Sequence, residues 1–361
     1  MTELLKNRSI HRHIYLDLKR KITTGEFRYM DQIPTLPGLC ELYGVSEAPI
    51  RRALDELSRN GMIEKRRGRG KGTVVIKRLV PTTVRVLLFL DDVTNKSQIE
   101  ACHEVFDLLA GIKEAAQERG CRVQMVSLDS FDSLPAADQS TGYLIIGFSS
   151  DDYRKGVDLA GRHGAPAVGL DTPGSGYVSS SVGVDIRAGA FEAVAYLAKL
   201  GHRHIAYVGG TRSAWLAPRL VGYRQALEAH GQPFRPDLVC ETSGIDSVED
   251  AAALNLMLAA APKPTAIFAA SDYRALHLLD ACRRIGLQVP DDVSICGYDD
   301  IGEAAVVLPG LTTVHHPRRE LARAAVDHLY EMIHTKRSPS DIVIQPCLVV
   351  RESCAPPVGV L

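Results

Sequence analysis

The sequence predicts an α/β protein in two parts. An N-terminal winged helix-turn-helix domain precedes a longer body of doubly wound parallel sheet divided into two lobes. Three observations lead there. Residues 35–76 hold two short amphipathic helix patterns followed by a glycine-loosened basic hairpin. From Val84 onward, apolar runs of strand length alternate with helical patterns as far as Gly297. Charge is also unevenly divided: residues 1–80 carry 17 Lys and Arg against 9 Asp and Glu, and the remainder 25 against 34. A basic head on an acidic body points to nucleic acid at one end and a different ligand at the other.

In the head, Ile10, Ile14, Leu18 and Ile22 recur every four residues up to Gly25, the pattern of a bracing helix. Leu36, Leu39 and Leu42 form a short stripe after Thr35, and Gly44 can take the left-handed conformation that ends a helix. Ser46 suits the N-cap of a second helix. Along it Ile50, Ala53, Leu54 and Leu57 give one buried face, leaving Arg51 and Arg52 outward. Such an arrangement places a recognition helix in a major groove. A hairpin follows: Met62–Arg67, a Gly68–Gly72 turn, then Thr73–Ile76. Arg66, Arg67, Arg69 and Lys71 at its tip suit a phosphate backbone or a minor groove. The candidate DNA contacts are therefore Thr35, Ser46, Glu47, Ala48, Arg51, Arg52 and these four cations. Arg51 and Arg52 also stand four residues before Asp55 and Glu56, the spacing of surface ion pairs worth about 0.3–0.5 kcal/mol each.

Lys77–Thr83 contains a proline and opens a new pattern, which divides the chain into a head (1–77), a linker (78–84) and a body (85–355). In the body, strands are expected at Val84–Leu90, Arg122–Leu128, Tyr143–Phe148, Pro166–Leu170, His204–Gly209, Ala266–Ala269 and Val293–Gly297. Helices are expected at Ile99–Arg119, Asp152–His163, Ala188–Leu200, Leu216–His230, Val248–Ala260 and Tyr273–Ile285. Apolar strands alternating with helices imply parallel sheets covered on both faces. So long a body exceeds the usual size of one such core, hence two lobes.

Several functional classes find no support. The eight cysteines are scattered without a C-x-x-C, which fits buried thiols in a reducing compartment. The N-terminus lacks an apolar signal core, and no apolar run reaches the ~18 residues of a membrane span, so a cytoplasmic protein without membrane contact is expected. His11-x-His13, His202-x-His204 and His315-His316 lack further ligands at zinc spacing. Without a nucleophile elbow, an H-E-x-x-H or a P-loop, no enzyme, metal or cofactor is expected.

The stretch IPTLPGLCELYGVSEAPIRRALDELSRNGMIEKRRGRGKGTVV resembles the head of GntR-type regulators over residues 8–76, through Val45-Ser46 and the wing residues Gly70, Gly72, Thr73 and Val75. It departs from that pattern at Thr35-Leu36-Pro37, where the family has Ser-Glu-Arg, and at Glu47-Ala48-Pro49, where it has Arg-Thr-Thr. Glu47 would repel phosphate unless it accepts from a cytosine amino group. From Gly183 to Tyr330 the chain is similar to the ligand-sensing core of LacI-type repressors, through stretches such as TAIFAASDYRALHLLDACRRIGLQVPDDVSICGYDD. That core has the fold of periplasmic sugar-binding proteins, and the similarity is weaker over Val84–Val182. The combination resembles arabinose-repressor-like regulators.

This resemblance implies a ligand cleft between lobe one (about 85–182 and 314–338) and lobe two (about 184–311 and 343–353), at the carboxyl ends of the strands. Chain crossings would fall near Val182–Asp185, Thr312–Val314 and Ser338–Ile342. Arg219, three residues before Gly222-Tyr223, and Asp299, in Gly-Tyr-Asp-Asp, match family positions that face the cleft. An arginine fork and a carboxylate recognise a polyol by donating to and accepting from its hydroxyls, though the same two side chains could close one lobe as an ion pair. Ser271 stands where the family places a ligand-contacting Asn or Ser, and Asp272 is equally suited to capping the helix from Tyr273. Trp215 offers a ring for stacking or for packing. Asp91, Phe148, Ser149 and Asp171 follow lobe-one strands, and Arg318 would make the cleft more cationic, as an acidic sugar or phosphate requires. The expectation is a homodimeric repressor of a carbohydrate-utilisation operon, binding operator DNA and a sugar-like effector; the alternative is a sugar-binding protein without a DNA role.

Overall fold

The computed structural model describes the chain apart from residues 1, 24, 67–71, 77–81, 90–95, 127–130, 133, 148, 172–177, 179, 211–215, 243–245, 336–337 and 359–361. Two compact units emerge, Met1–Thr83 with Ala116–Arg122, and Val84–Ala115 with Val123–Leu361.

In the first unit, α1 (Thr2–Thr23) packs on α3 (Glu47–Arg59), with α2 (Leu36–Tyr43) against α3. Their apolar stripes meet: Ile14, Leu18 and Ile22 share one core with Leu39, Ile50, Leu54 and Leu57. Gly44 ends α2 at φ 63°, a conformation costing most residues roughly 1 kcal/mol or more, and its N–H closes the helix on Cys40 and Glu41. Ser46 occupies the N-cap of α3 as the sequence predicts, yet its side chain makes no capping bond. The wing is the antiparallel pair β1 (Ile63–Lys65) and β2 (Thr73–Val75), with Ile63 opposite Val75 and a further bridge from Gln32 to Val74. Val74 and Val75 are buried, so the short hairpin is anchored by apolar contact as well as by its ladder.

The second unit contains two six-stranded sheets. Lobe one is ordered β13 (Asp341–Ile344), β7 (Ser181–Val184), β6 (Ala167–Leu170), β5 (Thr141–Ile146), β3 (Thr83–Leu88), β4 (Arg122–Val126). Its helices are α4 (Lys96–Glu118), α5 (Ser150–Arg162) and α10 (Arg318–Thr335). Lobe two is ordered β14 (Cys347–Val349), β12 (Thr312–His315), β11 (Ser294–Asp299), β10 (Ala266–Ala269), β8 (Ile205–Gly209), β9 (Val239–Glu241). Its helices are α6 (Ile186–Lys199), α7 (Leu216–Ala229), α8 (Ser247–Leu258) and α9 (Asp272–Arg284). Lobe two is parallel except for the antiparallel β12–β14 pair. Separate apolar cores on the two faces of its sheet explain why the central strands β8, β10 and β11 are buried end to end. Among the described residues, no helix is long and apolar enough to cross a membrane.

Sheet membership corrects the expected lobe boundaries. β12 pairs with β11 and β14, so residues 312–315 belong to lobe two, and the crossing falls at 316–317. β13 pairs with β7, so residues 341–344 belong to lobe one and the last crossing falls at 345–346. β7 is a four-residue, fully buried lobe-one strand, too short to stand out from the first crossing in the sequence. The proposed linker lies largely outside the described residues, at 78–81.

Candidate functional site

The outward surface of α3 exposes Glu47, Ala48, Arg51, Arg52, Asp55 and Arg59, opposite its buried stripe. The expected Arg51–Asp55 and Arg52–Glu56 pairs do not form. Arg51 instead grips Glu47 through Nε (3.1 Å) and Nη2 (2.8 Å). Asp55 pairs with Lys65 of β1, and Glu56 faces His11 and Arg12 of α1. The helix carboxylates are thus drawn to partners on other elements, leaving Arg52 exposed and without an ion pair among the described residues. Thr35 caps α2, its Oγ1 accepting from the Gly38 N–H at 3.4 Å. Arg66 is exposed and bonds Glu64 at 2.9 Å, whereas Arg67, Arg69 and Lys71 lie outside the described residues.

In the body, the carboxyl ends of the strands bring Arg219, Asp299, Arg318 and Asp171 together around the crossing at 316–317. Arg219, one turn into α7, donates through Nη2 to Asp299 Oδ1 (2.8 Å) and through Nη1 to the Ala270 carbonyl. Its guanidinium lies 3.9 Å over the ring of Tyr298. Arg318, at the start of α10, donates to the Asp299 carbonyl at 2.9 Å, and its Nη2 stands 3.7 Å from Asp299 Oδ1. From lobe one, Asp171 Oδ1 meets His316 Nε2 at 3.0 Å, tying the end of β6 to the crossing segment. Burial pushes the Asp171 carboxyl up, but the His316 ring, with Arg318 and Arg219 behind it, outweighs burial and holds it below its ordinary value.

Backbone strain concentrates here. Among the described residues only four non-glycines have positive φ, and Asp171 (55°), Asp299 (118°) and Asp300 (54°) are three of them. Each such conformation costs of order 1–3 kcal/mol and persists where surrounding contacts over-determine it. Asp300 is held by His315 (2.8 Å) and Arg351 (2.7 Å).

Asp272 is not the helix cap the sequence allowed. Ser271 caps α9, accepting from the Arg274 N–H. Asp272 is wholly buried, accepting from Thr313 Oγ1 at 2.5 Å and from the Ile301 N–H at 3.0 Å. Burial, reinforced by the neighbouring Asp299 charge, drives its carboxyl well above the ordinary range. Gly297 permits the approach: a Cβ there would lie 2.1 Å from Asp272 Oδ1. Asp272 therefore ties β11, β12 and the following loop together behind the charged cluster. Ser149 caps α5 in a reciprocal box with Asp152. Asp91, Phe148 and Trp215 lie outside the described residues.

Two hollows, of about 300 and 260 Å³, share Asp107 and Arg318 and open between α4 or α10 of lobe one and the loops of lobe two. His316, Asp300, Phe106, Tyr273 and Glu303 also line them. Sequence reasoning missed Phe106, Asp107, His316 and Tyr298. The exposure of Phe106, on an otherwise amphipathic helix, is the kind of signal only coordinates supply; His316 was visible only as half of an unexplained His-His pair.

Both parts of the chain match known families. Residues 10–75 match the bacterial regulatory proteins of the gntR family, and residues 194–354 the periplasmic binding protein-like domain. An arabinose metabolism transcriptional repressor from Geobacillus stearothermophilus is 27% identical over 360 residues, covering 94% of this chain and 97% of that protein. The HTH-type transcriptional repressor PurR of Histophilus somni is 33% identical over 169 residues, 46% of this chain. The chain spans about half (50%) of the length of that relative. Among solved structures, a transcriptional regulator CelR in complex with cellobiose aligns over 89% of this chain and 100% of that one, at 26% identity and TM-score 0.63. A LacI family regulator from Mycobacterium smegmatis aligns over 76% of this chain and 100% of that one, at 28% identity and TM-score 0.60. The chain joins a GntR-family helix-turn-helix domain to a periplasmic-binding-protein-like domain of the kind found in LacI-family regulators.

Proposed function

We propose that this chain is a ligand-responsive transcriptional regulator, a repressor of a carbohydrate-utilisation operon, acting in the cytoplasm as a binding protein and not as a catalyst. One observation carries the reading: a recognition helix with outward arginines shares a chain with two lobes whose strand ends gather Arg219, Asp299, Arg318 and Asp171. Operator affinity comes largely from phosphate contacts and falls with salt. A sugar-like effector enters between the lobes, engaging the Arg219–Asp299 pair, which in the described state is closed on itself, and changes the balance between DNA-competent and incompetent states. A carbohydrate is favoured because the relative with near-complete coverage is named for arabinose metabolism and CelR is bound to cellobiose. The Thr35, Ser46, Ala48, Arg52 and Arg66 side chains serve the duplex together with the wing tip. Ser149 and Ser271 remain candidate effector contacts, their hydroxyls capping α5 and α9.

The protein works as a homodimer, each head taking one half-site. Lobe two supports this with exposed apolar side chains at Ile285 (52%), Val306 (79%) and Leu308 (80%), the last held beside α9 by a bond from Arg283 to its carbonyl. The test is a gel shift with the duplex upstream of the chain's own gene, across a salt series, with and without sugars that raise the melting temperature. A shift that weakens with salt and responds to the same sugar supports the reading. Sugar binding with no DNA shift at low salt would favour a solute-binding protein instead.

A further inference from the structure

We propose that Glu47 and Arg51 act as one unit that reads a C·G base pair in the major groove. The inference rests on the DNA-binding reading above and deepens it. Glu47 lies on the first turn of α3, with its side chain 56% exposed and that of Arg51 62% exposed. A carboxylate in that position is a liability to a helix that only grips phosphates, because its charge repels the duplex. The other carboxylates of α3 are matched by cations from outside the helix, Asp55 by Lys65 and Glu56 by His11 and Arg12. Among the described residues, Glu47 is matched only by Arg51, on the same exposed surface.

The geometry of the pair is specific. Arg51 Nε and Nη2 both bond Glu47 Oε2, at 3.1 and 2.8 Å. That leaves the lone pairs of Oε1 for a second donor and the Nη1 hydrogens for acceptors. The major-groove edge of a C·G pair offers the complement: the cytosine N4 amino donor next to the guanine O6 and N7 acceptors. An A·T pair places its one donor between two acceptors and adds a methyl group, so an arginine beside the carboxylate meets a single acceptor and not the adjacent pair that guanine offers. The ion pair thus turns a repulsive carboxylate into a base reader, and Arg51 without Glu47 keeps its attraction to DNA but loses its aim.

The experiment is in vitro selection of full-length protein against a random-sequence duplex library, with wild type, Glu47→Ala and Glu47→Gln. Circular dichroism of each variant checks that the helices are retained. Wild type is expected to select half-sites with a near-invariant C·G at one position. Replacing that pair in the selected site weakens wild-type binding about tenfold or more, and Glu47→Ala by less than about threefold. Glu47→Gln is expected to accept A·T at the same position, because a carboxamide can pair with adenine N6 and N7. The same selected sequence from Glu47→Ala, or a uniform change of affinity at every position, overturns the inference and leaves DNA binding standing. DNA bound by wild type without sequence preference also overturns it. No capture of any duplex by wild type would instead remove the regulatory reading itself.

Discussion

Charged pairs on α3 differ in kind from those sealed inside the body. On the recognition helix they sit in water: Arg51–Glu47 and Lys65–Asp55 have side chains between 46% and 62% exposed. In the body two pairs are sealed: Arg219–Asp299 at 7% and 3%, and Arg274–Asp250, between α9 and α8, at 3% and 0%. Exposed pairs contribute little to stability, about 0.2–1 kcal/mol, because water competes for both partners. That leaves their outward-facing donors and acceptors open to a nucleic-acid partner. Buried pairs cannot exchange cheaply, since removing one partner strands the other in a low dielectric. The head's charges are therefore available for recognition, whereas the body's fix geometry and respond to whatever displaces water between the lobes.

The largest contrast is expected in stability. Asp250→Ala leaves Arg274 and His277 without their shared carboxylate and is expected to destabilise the protein by about 3–5 kcal/mol in urea unfolding. Asp55→Ala, which removes an equally well-formed pair in the head, is expected to stay within about 1 kcal/mol. Equal losses would mean that burial does not separate the two regions.

Next comes function without stability. Arg51→Ala combined with Arg52→Ala removes two exposed cations and no buried contact, so unfolding should shift by no more than about 0.5 kcal/mol. DNA binding is expected to lose about 1–3 kcal/mol for each base contact and to keep its effector response intact. Gel shifts unchanged from wild type would assign duplex binding to the wing alone.

How far the sequence revealed this contrast depends on the element. The apolar period placed every head helix, because Ile50, Ala53, Leu54 and Leu57 repeat cleanly and Gly44 and Ser46 punctuate them. Buried strands such as β5, β8, β10 and β11 were legible as apolar runs, whereas the buried β7 and β12 were not. Pairing was not: whether Arg51 turns to Asp55 or to Glu47 depends on Lys65, ten residues beyond Asp55 and brought back by the wing. The same limit hid Asp272, whose partners Thr313 and Ile301 are far along the chain, and His316, which meets Asp171 only across the lobes. Sheet order likewise decided that 341–344 belong to lobe one, which no local pattern states.

Two carboxylates near the strand ends, Asp272 and Asp171, give a smaller, pH-dependent contrast. Asp272 is raised, chiefly by burial: the unfolded chain releases its proton as pH climbs through the ordinary carboxylate range, while the folded state keeps it. Stability from this group is thus full below that range and declines as pH rises. Asp171 is lowered, so its contribution is full above the ordinary carboxylate pKa of 3.8 and is lost as pH falls through its folded value. Asp272→Asn is expected to flatten the decline of body stability between acid and neutral pH, read from thermal melting. Asp171→Asn is expected to flatten the acid limb instead. Identical pH profiles for the two variants would refute the opposite signs.

The smallest effect distinguishes two positions that look alike in the sequence. Thr35 and Ser46 both stand at helix N-caps, and both are candidate duplex contacts. Thr35 Oγ1 accepts from the Gly38 N–H at a long 3.4 Å, while the Ser46 hydroxyl makes no capping bond. Thr35→Ala should therefore cost about 0.5 kcal/mol, the low end for a cap, and Ser46→Ala less. In DNA binding the order should reverse, because a hydroxyl not committed to its own helix is available to a phosphate oxygen. Equilibrium unfolding and duplex titration of both variants check the two orders. If Ser46→Ala lowers stability more than Thr35→Ala, its hydroxyl caps α3 in solution and the duplex has no special claim on it.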